Sequence, residues 1–101
     1  VLYCGGTPVF ADIDPATLML DPAAAEAAVT ENARAIAAVD YAGQPADYDA
    51  LVPLARRKGL VLIDDAAHAL GASCGGVPVG AIADITTFST PPVKPVTTGE
   101  G

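Results

Sequence analysis

The stretch 60–71 reads Leu-Val-Leu-Ile-Asp-Asp-Ala-Ala-His-Ala-Leu-Gly. Four consecutive apolar residues are what a strand needs when a parallel sheet is covered on both faces. Asp64 and Asp65 follow where that run ends, and His68 stands three residues beyond Asp65. Ligands of open α/β sheets bind outside the carboxyl ends of the strands. These three polar residues therefore stand where such a fold builds a site, and the remainder of the chain is read for what it can bring beside them.

Strand and helix signals alternate on either side. Pro8–Ile13 is a short apolar run closed by Asp14-Pro15 and is expected to be a first strand. Asp21 before Pro22 predicts a helix start, with an acid as N-cap and proline at the first helical position, and the helix is expected to end near Thr30–Asn32. Ala35–Val39 is a second apolar run, ending at Asp40 and followed by the loop Tyr41–Pro45. Asp47 or Asp49 caps a second helix that carries Arg56, Arg57 and Lys58 in its last turn and stops at Gly59. Pro53 lies awkwardly in that helix and predicts a late start or a kink. Gly75-Gly76 predicts a tight hairpin, Ala83–Ser89 a last strand, and 90–101 a proline-punctuated loop. The order predicts an α/β fold, a mostly parallel sheet with packed helices.

Composition excludes several function classes. A net charge of -7 gives no electrostatic footprint for nucleic acid or for an anionic membrane. No apolar run approaches the roughly 20 residues that span a bilayer, and a cytoplasmic location is expected. The 101 residues suit one domain, and 51% hydrophobic content with only 5% aromatic residues predicts a core of small side chains. Cys4 and Cys74 lack metal-type spacing and read as buried thiols. The chain starts at Val1 without methionine and stops in a glycine-rich turn, which suggests a fragment.

Each candidate residue has a plain structural reading beside the chemical one. Lys94, among Pro91, Pro92 and Pro95, is either a solvated loop charge or an amine held stiffly enough to attack a carbonyl. Asp65 is either the cap of the turn 66–70 or a carboxylate able to keep a pyridine nitrogen protonated. His68 is a core histidine or a group sharing one side of a helical turn with Asp65. A metal site of Asp64, Asp65 and His68 is disfavoured, because adjacent acids diverge and no third ligand is well spaced. Asp12 and Asp14 have the spacing of the paired acids in magnesium-dependent phosphatases, but Ala16 stands where a hydroxyl is required. Asp14-Pro15 reads instead as a plain turn.

Taken together, Val1–Asp14, Asp40–Asp49, the run from Ile63 to Gly71, Phe88-Ser89, Lys94 and the closing Thr-Thr-Gly-Glu-Gly resemble the DegT/DnrJ/EryC1/StrS family of pyridoxal-phosphate-dependent sugar aminotransferases. The resemblance runs through nearly the whole chain in order. It implies part of the large domain of a fold-type-I transferase, a homodimer in the full-length protein, and amino transfer, commonly from glutamate, to a nucleotide-linked keto-sugar. It further implies that Lys94 bonds the cofactor aldehyde and then carries the proton. Asp65 would pair with the pyridine nitrogen, His68 would pack beside the ring, and Ser89 would bond the phosphate.

The chain departs from the family pattern at Asp40, where histidine is common, and at Thr90-Pro91-Pro92 and Pro95 around the lysine. Lys94 itself opposes a relationship to the sugar dehydratases, which carry histidine at that position. The resemblance places the phosphate-binding segment before residue 1 and the carboxyl-terminal domain after residue 101. On that expectation residues 1–101 alone neither hold cofactor tightly nor turn over. The competing reading is a non-catalytic α/β module with Lys94 and Asp65 as unrelated surface groups.

Overall fold

The computed structural model describes residues 1–101. Helices α1 (Pro22–Ala28) and α2 (Tyr48–Lys58) alternate with strands β1 (Ala35–Val39) and β2 (Val61–Asp65). A small hairpin of β3 (Ser73–Cys74) and β4 (Val77–Pro78) and a last strand β5 (Ile85–Thr87) follow. The three long-range strands form a parallel sheet in the order β1-β2-β5, with β2 in the middle as its continuous apolar run requires.

Local chemistry accounts for the boundaries. The Asp21 carboxylate accepts from the Ala23 N–H at 2.9 Å and starts α1 with Pro22 in the first turn. Asp47 does the same for Ala50 at 3.1 Å, so Asp47 rather than Asp49 caps α2. Gly59 ends α2 in the left-handed conformation that an L side chain resists. Between Cys74 and Val77 the hairpin turns on Gly75 and Gly76, both with positive φ, the backbone that a two-residue turn matching the strand twist demands.

Four expectations are corrected. Pro8–Ile13 forms no strand of the sheet. The chain doubles back directly after it in a turn closed by Leu18 donating to Asp14 at 2.7 Å and Asp14 to Met19 at 2.9 Å, so its only pairing is local, one isolated bridge between Ile13 and Leu20 and a bond from the Asp21 N–H to the Asp12 carbonyl at 3.1 Å. Helix α2 does not begin late: it runs from Tyr48 through Pro53, whose missing N–H is tolerated on an exposed stretch of helix. Both acids lie inside β2 rather than beyond it, because the ladder with β1 extends to the Val39–Asp65 pair. The cysteines are free, but Cys4 is exposed and Cys74 half-buried, since neither belongs to an element that faces the core.

The core lies on one face of the sheet. Ile36 and Ala38 of β1 and Leu62 of β2 meet Tyr48, Leu51, Leu54 and Ala55 of α2, with Ala25 of α1 and Met19 beside them. Alanine supplies much of this contact, which lets helix and sheet approach closely. Strand alternation sends Ala35, Ala37, Val39, Val61, Asp65, Ile85 and Thr87 to the opposite face, where all are exposed.

Candidate active site

The parallel register fixes where the chemistry gathers. Val39, Asp65 and Thr87 form the last row across the sheet, so the chain leaves all three strands at the same edge. Three connections begin there: the short 3-10 turn Tyr41–Gly43, the turn Ala66–Ala69, and the loop that carries Ser89 and Lys94. Asp65, His68, Ser89 and Lys94 therefore belong to this edge or to a segment leaving it.

Asp65 ends β2 on the exposed face. Its Oδ1 accepts from the Ala67 N–H at 3.1 Å, so it does cap the following turn, while Oδ2 remains available. Asp64, one residue earlier, points the other way into the core and is fully buried. The adjacent acids thus have opposite environments, the consequence of the two-residue period of a strand. No helix follows Asp65; a bond from Ala69 N–H to the Ala66 carbonyl at 2.9 Å closes one turn only. The expected helical relation between Asp65 and His68 is accordingly absent.

His68 is instead held by the neighbouring connection. The Ala42 N–H donates to Nδ1 of His68 at 3.4 Å, and the Tyr41 ring lies 5.8 Å from the imidazole, tilted by 57°. An Nδ1 that accepts leaves Nε2 as the donor of the ring, and His68 is exposed.

Ser89 follows β5 by two residues and is half-buried. Beyond it the chain makes a loop with a closed neck: Thr90 and Thr98 share a hydroxyl bond of 2.9 Å, and the Thr98 N–H donates to the Thr90 carbonyl at 3.0 Å. Within that loop the Lys94 N–H bonds the Pro91 carbonyl at 3.0 Å in a turn that the prolines stiffen. Lys94 is half-buried and forms no ion pair. The chain's other lysine, Lys58, lies in the last turn of α2 and pairs with Glu26 at 3.4 Å.

Beneath the edge Asp40 and Asp64 share a buried polar cluster with Tyr48 and Thr86, a grouping not foreseen in the sequence. Asp40 Oδ1 accepts from the Tyr48 hydroxyl at 2.8 Å and from the Ala46 N–H at 2.9 Å. Burial, and then the adjacent Asp40 and Asp64, push the Tyr48 hydroxyl far above the ordinary tyrosine range, so it stays a donor. Asp64 has both oxygens buried without a hydrogen bond, and the Thr86 hydroxyl in the same row is unpaired. Burial first, with the charges of Asp40 and Asp65 adding to it, holds the Asp64 carboxyl above the usual range; the nearby Tyr48 and Thr86 hydroxyls oppose the shift. The signal was available in the sequence: Ile36, Ala38 and Asp40 are spaced by two, so the alternation of β1 continues inward to Asp40.

All of residues 1–101 match the description "DegT/DnrJ/EryC1/StrS aminotransferase family". The chain belongs to this family. An L-glutamine:scyllo-inosose aminotransferase of Streptomyces griseus is 52% identical over 101 residues, which is 100% of this chain and 24% of that protein. PseC of Helicobacter pylori, an aminotransferase involved in the biosynthesis of pseudoaminic acid, superposes with a TM-score of 0.93 at 36% identity, covering 98% of this chain and 26% of PseC. A Streptococcus pneumoniae protein solved in its PLP form gives a TM-score of 0.90 at 36% identity, over 95% of this chain and 28% of that one. This DegT-family chain thus spans about a quarter of the length of the relatives it matches.

Proposed function

We propose that this chain is part of the large domain of a pyridoxal-phosphate-dependent aminotransferase that transfers an amino group to a ring ketone of the keto-sugar class. The observation that carries the reading is the shared edge. Asp65 and His68 are distant in sequence from Ser89 and Lys94, yet all four lie at or beyond the carboxyl ends of two neighbouring parallel strands, β2 and β5. Family membership and the sugar-related aminotransferases among the relatives support the same reading.

The residues present suit pyridoxal phosphate. Asp65 keeps one carboxylate oxygen free of the turn it caps and exposes it on an apolar face, where an anion can hold a proton on a pyridine nitrogen. Ser89 offers a hydroxyl at the end of β5 for a phosphate oxygen, and His68 offers a flat ring fixed by Ala42. Lys94 supplies an unpaired amine on a stiffened loop, suited to bonding an aldehyde and to carrying a proton at the substrate carbon. When bound, the cofactor supplies the electron sink on which amino transfer depends. Glutamate as amino donor, a nucleotide-linked acceptor and a homodimeric assembly complete the proposal. The uncovered sheet face supports a longer chain, because a parallel sheet of this kind has both faces covered in a finished domain.

Borohydride reduction of the full-length protein with its cofactor, followed by peptide mass mapping, tests the proposal. A pyridoxyl adduct on the peptide containing Lys94, lost in Lys94→Ala, is the expected result. An adduct on Lys58, or none on Lys94 in a protein that binds the cofactor, would reject it.

A further inference from the structure

We infer that Asp40 is a positioning residue for the candidate site, fixing from inside the fold both the turn that holds His68 and the end of the strand that carries Asp65. The inference rests on the functional reading above for its consequence, but its geometry stands apart from it.

Asp40 sits where core and site meet. Its backbone N–H extends the sheet by one bond, to the Asp65 carbonyl at 3.0 Å. Its own carbonyl accepts from the Gly43 N–H at 3.3 Å and so closes the turn Tyr41–Gly43. Its side chain is wholly buried and holds the far end of the same loop, through Ala46 N–H at 2.9 Å and the Tyr48 hydroxyl at 2.8 Å. The first two bonds belong to the backbone and would be made by other residues at this position; the grip on the exit belongs to the aspartate side chain.

That connection touches His68 at two points and leaves little room for a side chain at a third. Ala42 donates to the imidazole, Tyr41 packs on it, and a Cβ added at Gly43 would lie 3.3 Å from the His68 carbonyl oxygen. Ala42 makes its contact from φ 55, a left-handed backbone that an alanine adopts only when its surroundings impose it. On this inference the anchors that hold it are the side-chain bonds of Asp40 to Ala46 and Tyr48 at the exit of the loop, the ones that a substitution at Asp40 removes. Releasing them lets Ala42 relax to an ordinary conformation, and its N–H then no longer meets Nδ1.

The side-chain role is geometric rather than a matter of charge. Only Oδ1 of Asp40 is bonded, and Oδ2 is buried without a partner. Asparagine can present the same Oδ1 to both donors and place its amide nitrogen at the unpartnered position. Alanine removes both bonds and leaves the Tyr48 hydroxyl buried without an acceptor.

The test uses the full-length protein labelled with 15N-histidine, with the His68 signals assigned by their loss in His68→Gln. Wild type and Asp40→Asn are expected to share one tautomer, with Nδ1 unprotonated. Asp40→Ala is expected to show exchange between tautomers and a pyridoxal phosphate dissociation constant raised tenfold or more, against less than threefold in Asp40→Asn. Unchanged His68 signals and affinity in folded Asp40→Ala overturn the inference, as does an Asp40→Asn variant as impaired as Asp40→Ala. Should Asp40→Ala not fold, Tyr48→Phe decides: partial tautomer mixing supports the role, and wild-type signals overturn it. A wild type that binds no pyridoxal phosphate would reject the functional reading, while the His68 signals would still report on Asp40.

Discussion

Ala42 donates its backbone N–H to Nδ1 of His68 at 3.4 Å, across 26 positions of sequence, and so ties the connection after β1 to the connection after β2. The bond is long and exposed, which puts its worth near the low end for such bonds, about 0.5 kcal/mol. His68→Phe removes the acceptor and is expected to speed amide exchange at Ala42 about twofold, the factor that this energy sets. His68→Asn, whose Oδ1 can stand in for Nδ1, is expected to retain the protection. Residue-resolved hydrogen exchange measures both.

The Asp64 carboxyl is held above its ordinary range, chiefly by burial, with the Asp40 and Asp65 charges adding to it. A raised carboxylate pKa means that the folded state retains a proton which the unfolded chain releases. The stability it carries is full below the model-compound value of 3.8 and declines as pH rises toward the folded value. Asp64→Asn cannot release a proton and escapes that decline. The variant is expected to exceed wild type in urea midpoint at pH 7, with the advantage vanishing below about pH 4. An equal advantage at pH 3 would point to better packing rather than proton linkage.

How far the sequence revealed this molecule depended on whether the governing interaction was local. The cap at Asp21, the stop at Gly59 and the turn at Gly75-Gly76 each involve residues within a few positions of one another, and each lies where the sequence predicts it. Pro8–Ile13 has the composition of a strand but no strand in this chain to pair with, and composition does not report the absence of a neighbour. Asp65, Ser89 and Lys94 entered as candidates through their spacing and family resemblance, and their place at one edge of the sheet follows from the parallel order of β2 and β5. Asp40 was visible only as a departure from the family pattern, because its partners Ala46 and Tyr48 acquire meaning once α2 folds back over β1.

Two glycines allow backbone strain to be separated from steric contact. Gly43 has φ 84, and an added Cβ would meet the His68 carbonyl oxygen at 3.3 Å; Gly59 has φ 66, and an added Cβ would meet nothing within 4 Å. Both substitutions to alanine impose the left-handed penalty, about 1 kcal/mol. Gly43→Ala must also displace a backbone oxygen. It is expected to destabilise by about 2 kcal/mol against about 1 kcal/mol for Gly59→Ala, read from denaturant midpoints. Equal losses would mean that the turn yields to the extra methyl freely.

Pro53 lies on the exposed side of α2, six positions into a helix whose N-cap is Asp47. That is past the first turn, where a missing N–H costs nothing, so the Asp49 carbonyl loses the bond that residue 53 would normally donate. The helix persists because Tyr48, Leu51, Leu54 and Ala55 bury one face against the sheet, and that burial outweighs the local penalty. Pro53→Ala restores the donor and relieves the ring's contact with the preceding turn, while giving the unfolded chain more freedom, which offsets part of the gain. The expected net effect is stabilisation of about 1 to 2 kcal/mol, below the full interior penalty of about 3 kcal/mol. Denaturant unfolding of the two variants under one condition measures it. A loss of stability would mean that the proline shapes α2 for its seat on the sheet.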